Sequence, residues 1–107
     1  MYQPNEFILV LNDQRLLISY KPDPFNVEKV LGEAVDSFSI RSINELDEFT
    51  KDAHPLSETG SSHKWINRPY IDEFKTPRKF ITSLIEDRAR APEWQKYLQD
   101  HRQLDFF

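Results

Sequence analysis

Cysteine is absent, so imidazole acid–base or metal chemistry would start from three histidines, His54, His63 and His101, with carboxylates able to complete a site. Helical metal sites place their ligands at i and i+4 or at other short fixed spacings. Separations of nine and thirty-eight residues match none of these, so neither a metal nor a cofactor is expected. A general base must lie close to the group that it serves. Asp52, His54, Ser57, Glu58, Ser61, Ser62 and His63 crowd one stretch, but Ser57 and Ser61 do not occupy a G-x-S-x-G elbow. A catalytic version of this chain would be a small general-base enzyme, such as a nuclease, working through one of the histidines. A phosphate-cradling loop needs clustered glycines. The two glycines, Gly32 and Gly60, are far apart, which excludes that class.

Charged and aromatic residues suggest binding rather than turnover. Lys75-Thr76-Pro77-Arg78-Lys79 gathers three cations at an expected helix start, where the helix dipole also favours anions. With Arg68 they form a candidate anion or nucleic-acid surface, to which Trp65, Tyr70 and Trp94 would add stacking area. Asp72, Glu73, Glu86 and Asp87 are interleaved with these cations. The opposite charge collects in Glu45, Asp47 and Glu48, which suit a basic partner. Together with Trp65, Trp94 and the terminal Phe106 and Phe107 they form a candidate protein-binding set. The formal net charge is −4 over 107 residues, but residues 1–58 hold 11 acids and 5 bases while residues 59–107 hold 7 acids and 9 bases. Such a division suits a charged partner or self-association into a homo-oligomer.

These residues need a frame, and its length fits one domain over 1–107. The apolar runs 6–11 (EFILVL) and 15–20 (RLLISY) flank Asn12-Asp13-Gln14, which predicts a β-hairpin with Leu9, Leu11, Leu16 and Ile18 in the core. Pro22-Asp23-Pro24 ends the second strand. Val27, Val30, Leu31, Ala34, Val35 and Phe38 then recur at helical spacing, predicting a helix from Pro24 to about Phe38 with Asp23 as cap. FILVL, RLLISY and the helix beginning PDPFNVEKVL are together similar to the opening of ubiquitin-like β-grasp domains.

Residues 38–41 allow a short third strand. Ser42-Ile43-Asn44-Glu45 reads as a capping box before a helix over 43–53. The Ser-, Thr- and Gly-bearing stretch 54–64 reads as a loop, and 65–75, broken by Pro69, as an extended edge segment or an irregular packed turn. Thr76-Pro77 opens a helix whose apolar face is Phe80, Ile81, Leu84, Ile85 and Ala89. Pro92 ends that helix near Arg90, and a last helix over 92–104 follows, burying Trp94, Tyr97 and Leu98.

The expected fold is α+β: an N-terminal hairpin packed with three to four helices. No apolar stretch approaches a membrane span or a signal-peptide core, so a soluble cytoplasmic chain without membrane contact is expected. The leading functional expectation is a non-enzymatic protein-binding module, such as a small inhibitor, immunity protein or adaptor that occludes a larger macromolecule. A nucleic-acid-binding accessory factor using the basic C-terminal half is the second, and the small enzyme the third.

Overall fold

Asn12 and Asp13 both take positive φ, 48° and 68°. Short Asx side chains tolerate that conformation, and a two-residue primed turn requires it at both positions. The turn joins β1 (Asn5–Leu11) to β2 (Gln14–Lys21), with Leu11 paired to Gln14 and Phe7 to Ile18. A computed structural model describes residues 2–104, and of residues 101–104 the backbone alone. The elements that follow are α1 (Glu28–Leu31), β3 (Val35–Ile43), β4 (Ser61–Asn67), α2 (Arg68–Asp72), α3 (Pro77–Ala89) and α4 (Pro92–Leu104). The strands form one antiparallel sheet in the order β1-β2-β3-β4. The architecture is α+β, but the sheet is larger and the helical share smaller than the sequence predicts.

The long helix expected from Pro24 to Phe38 is a single turn. Asp23 accepts hydrogen bonds from the backbone N–H groups of Val27 (3.0 Å) and Glu28 (3.2 Å), so it does start a turn. Gly32, at φ 75°, then ends that turn. Val30 and Leu31, expected in the core, are 85% and 66% exposed. From Val35 onward a period of two governs. Asp36, Phe38, Ile40 and Ser42 point into the core, while Ser37, Ser39 and Arg41 point the other way. β3 pairs on both sides, with β2 and with β4, and this non-local pairing overrides the helical spacing of the apolar residues. The similarity to a β-grasp opening ends here, because no long helix follows the hairpin.

The helix expected over 43–53 is absent for a related reason. Ser42 is a β3 residue whose hydroxyl donates to the Asp52 carbonyl (2.6 Å) instead of capping a helix. The Asn44 side chain accepts from the N–H groups of Leu46 (2.8 Å) and Glu48 (2.9 Å), and Asp47 takes φ 61°, so the chain turns repeatedly. The stretch read as a loop, 54–64, splits. Residues 54–57 close a tight turn, and Ser61 opens β4, one of the two edge strands. Gly60 joins them at φ 85°, with its Cα so close to the 50–52 backbone that a Cβ would lie 2.9 Å from Thr50 O, Lys51 C and Asp52 O.

The second half follows expectation more closely. The Thr76 side chain accepts from Lys79 N–H (3.1 Å) and Pro77 opens α3, which ends at Arg90. Ile81 and Ile85 are fully buried against Leu16, Ile18, Phe38 and Ile40 of the sheet, with Phe80 and Leu84 beside them. α4 begins at Pro92, and Trp94, Tyr97 and Leu98 are half-buried. Among the described residues no helix is long and apolar enough to cross a membrane.

One polar knot lies in this core. The fully buried Asp36 carboxylate accepts from Tyr20 OH (2.6 Å), Arg68 Nε (2.6 Å) and Nη2 (2.8 Å), and Asp23 N–H (2.9 Å). Burial alone would raise the Asp36 pKa, but the bonds from Arg68, Tyr20 and Asp23 outweigh it and hold the pKa below the ordinary carboxylate value. Burial and the bond to Asp36 push the Tyr20 phenol up. Arg68→Ala would leave an uncompensated buried charge and should cost about 3–5 kcal/mol in urea unfolding at neutral pH. A loss below about 1 kcal/mol would show that the pair does not hold the core.

Candidate functional site

α2 and α3 pack on one face of the sheet through Ile71, Ile81 and Ile85. On the other face the register aligns Glu6, Ser19, Ser39 and His63 in one row across all four strands, and Lys21, Ser37 and Trp65 in the next row across β2, β3 and β4. These side chains floor a groove of about 530 Å³. Its β4 side carries a strip of rings. Phe25, from the turn after β2, stacks on Trp65 at 5.3 Å between centroids, and Trp65 lies 4.8 Å from His63. Its other end holds Arg41, whose guanidinium carbon sits 3.5 Å from the centre of the Phe49 ring. Lys21 and Arg41 are the fixed cations of the lining and Glu6 is its single acid, so the groove is locally positive in an acidic chain.

Ser37 Oγ and His63 Nε2 share a hydrogen bond of 2.7 Å. A serine beside an imidazole is the first requirement of nucleophilic catalysis, but not the whole of it. Among the described residues no carboxylate hydrogen-bonds the His63 ring to orient it. Ser37 lies on an internal strand whose backbone amides belong to the sheet ladder, so they are not free to hold an oxyanion.

The other histidine with a described side chain, His54, is buried and does structural work. Its Nδ1 accepts from Leu56 N–H (3.1 Å), which leaves Nε2–H to donate to the Ile40 carbonyl (3.3 Å). His101 lies outside the residues whose side chains are described. Among the described residues no three His, Asp or Glu side chains cluster in a way that would hold a metal ion.

The sequence-predicted binding residues are distributed over several places. Trp65 lies in the groove. Glu45 and Trp94 line a separate cavity of about 580 Å³ between the hairpin turn, the 44–53 loop and α4, where Trp94 stacks on Tyr97. Asp47 forms an ion pair with Arg15 at 2.6 Å, and Glu48 accepts a long bond from the Asn44 amide (3.4 Å). Phe106 and Phe107 lie outside the described residues. Of the basic set, Arg68 is bound to Asp36 and Arg78 lies over the Phe7 ring at 4.7 Å. Lys75 takes a left-handed conformation between α2 and α3, and Lys79 is exposed on the first turn of α3. Phe25, Arg41, Phe49 and the serine row were not singled out from the sequence. The signal for the serines is the alternation Ser37-Phe38-Ser39-Ile40-Arg41, which places two hydroxyls and a cation opposite Phe38 and Ile40. Phe25 and Phe49 carry no local signal, since both reach the groove from turns.

No protein-family model, no curated protein and no solved structure matches this chain. The site is therefore interpreted from its own chemistry.

His54 gives this part of the molecule a pH dependence. Burial lowers its pKa below the ordinary 6.5; the bond to Ile40 opposes that shift and the charge of Lys64 adds to it. As pH falls through about 6.5 the unfolded chain takes up a proton at this ring before the folded chain does, so stability falls. The slope approaches about 1.4 kcal/mol per pH unit within that window. His54→Gln, which keeps a donor for the Ile40 carbonyl, should flatten the wild-type slope between about pH 7 and pH 5.5 in urea melts. An unchanged slope would assign the proton uptake to another group.

Proposed function

We propose that this chain is a non-enzymatic binding module that engages a larger macromolecule through the open face of its sheet. The observation that carries this reading is the uncovered groove, where aromatic rings stand exposed above a polar floor. Phe25 is 73% exposed, Phe49 and Trp65 about half exposed, and none of the three belongs to the buried core. Exposed aromatic surface grouped in one concavity is the usual mark of an interaction site. The buried packing of the fold lies on the opposite face, where Phe7, Leu16, Ile18, Phe38, Ile40, Ile81 and Ile85 supply it.

The absence of an enzymatic role is part of the proposal. The Ser37–His63 contact has neither an orienting carboxylate nor free amide donors beside it among the described residues, and the contact also serves as a cross-strand hydrogen bond on the groove floor. A module of this kind acts by covering a surface of the macromolecule it engages and transfers no group.

The test separates binding from folding. Phe25→Ser combined with Trp65→Ser should abolish retention of a stoichiometric macromolecule from host-cell extract by the immobilised chain. Thermal melting should remain one cooperative transition, with a loss of about 0.5–1.5 kcal/mol from the removed ring stack. Lys21→Glu combined with Arg41→Glu gives an independent loss of retention that removes no ring. Retention unchanged in both variants would overturn the assignment of the open face.

A further inference from the structure

We propose that the groove on the open sheet face binds single-stranded nucleic acid, which deepens the binding reading above and rests on it. Three features of the groove together select this ligand. The ring strip Phe25–Trp65–His63 and the Arg41–Phe49 pair offer π surface at two stations. Their β3 neighbours, Ser37 and Arg41, are four residues apart, about 13 Å at strand rise. That distance spaces two separately stacked bases and is too long for one ring system. The floor between the stations is made of Leu17, Ser19, Ser37 and Ser39; Ser37 is buried and bonded to His63, while the Ser19 and Ser39 hydroxyls can donate and accept toward base edges or sugar oxygens. Lys21 and Arg41 outnumber Glu6, so a polyanion is drawn to this face although the chain as a whole is acidic.

A protein partner fits less well. An amphipathic helix or strand docking in a groove buries an apolar stripe, and here, where Leu17 is the one aliphatic side chain between the strands' polar residues, it would cover the Ser19 and Ser39 hydroxyls and desolvate them. Duplex nucleic acid fits less well still, because its stacked bases present no free ring faces to the aromatic side chains. Unpaired bases satisfy all three features, since every base has a π face, a hydrogen-bonding edge and a phosphate attached.

The test is fluorescence anisotropy with labelled oligo-dT and oligo-rU of about ten nucleotides, a length within the usual site sizes, and with the matching duplexes. Single strands should bind at least about tenfold more tightly than duplex. Two phosphate contacts predict a log–log salt slope near −1.4, so affinity should fall about sevenfold between roughly 50 and 200 mM salt. Trp65→Ala should weaken binding about tenfold with melting still one cooperative transition. Arg41→Gln should remove about half of the salt slope. Arg78→Glu with Lys79→Glu, at the start of α3, should leave the affinity unchanged.

Equal binding to duplex, or loss through Arg78 and Lys79 in place of Trp65, would overturn the groove as a single-strand site. Failure of every oligonucleotide to bind at low salt would overturn the nucleic-acid assignment alone, if macromolecule retention still depends on Phe25 and Trp65. If retention ignores those residues as well, the open-face reading falls with it.

Discussion

A carboxylate in the middle of an apolar face is the constraint on which the rest of this structure depends. Asp36 has no exposed surface, and an isolated ionised carboxylate in that position would be far too costly to bury. It is retained because four donors converge on it from three other parts of the chain: Tyr20 of β2, Asp23 of the following turn, and the two guanidinium nitrogens of Arg68 at the start of α2. Each donor fixes the segment that supplies it. Arg68 must follow β4 without a loop, and its own N–H donates to the Ala34 carbonyl (2.8 Å). Tyr2 lies against the Arg68 guanidinium and donates its hydroxyl to Asp72 (2.7 Å), so the N-terminal segment is attached to the same knot.

This core-side knot also shapes the opposite side of the sheet. Asp23 is held by Asp36, and Phe25 follows two residues later; Arg68 is held by Asp36, and Trp65 precedes it by three. The Phe25–Trp65 stack is therefore assembled by two chain segments that share one carboxylate as their anchor. A buried ion pair is weak evidence for added stability, because well-packed apolar residues would often serve as well. Its directional bonds instead set where neighbouring segments emerge, and here two of those segments carry the exposed rings.

What was legible in the sequence follows the range of the interactions involved. The hairpin, the Thr76 cap with Pro77, the apolar face of α3 and the Pro92 boundary are set by residues a few positions apart, and each is found where local chemistry places it. β3 is set by partners far along the chain. Its first half carries apolar residues at helical spacing, and only pairing to β2 and β4 decides for a strand. Ser42 illustrates the same limit, since a hydroxyl suited to capping a helix bonds the Asp52 carbonyl ten residues away once β3 has formed. The groove was less legible than the fold. Trp65 was visible as an aromatic near cations, but the cations that line its groove, Lys21 and Arg41, come from the acidic half of the sequence. Segregation of charge along the chain did not become segregation over the surface, because β2 and β3 carry those two cations to β4.

The edges of the sheet bear on which surface is available to a partner. β1 and β4 each have one unpaired side, and an exposed edge is itself a template for strand addition. β4 is followed at once by α2, with Pro69 in its first turn, and turns Lys64 toward the helix-covered face opposite Phe38. An inward-directed charge on an edge strand opposes continuation of the sheet, since an added strand would have to desolvate it. β1 carries Asn5 and Glu6 at its start, a polar pair next to FILVL. The face between these edges has no such obstruction. Phe25 and Phe49 reach it from turns, and the Trp65 and His63 rings rise from β4 on side chains, so a ligand reaches them without competing for the ladder's backbone hydrogen bonds, and the sheet need not open to admit it.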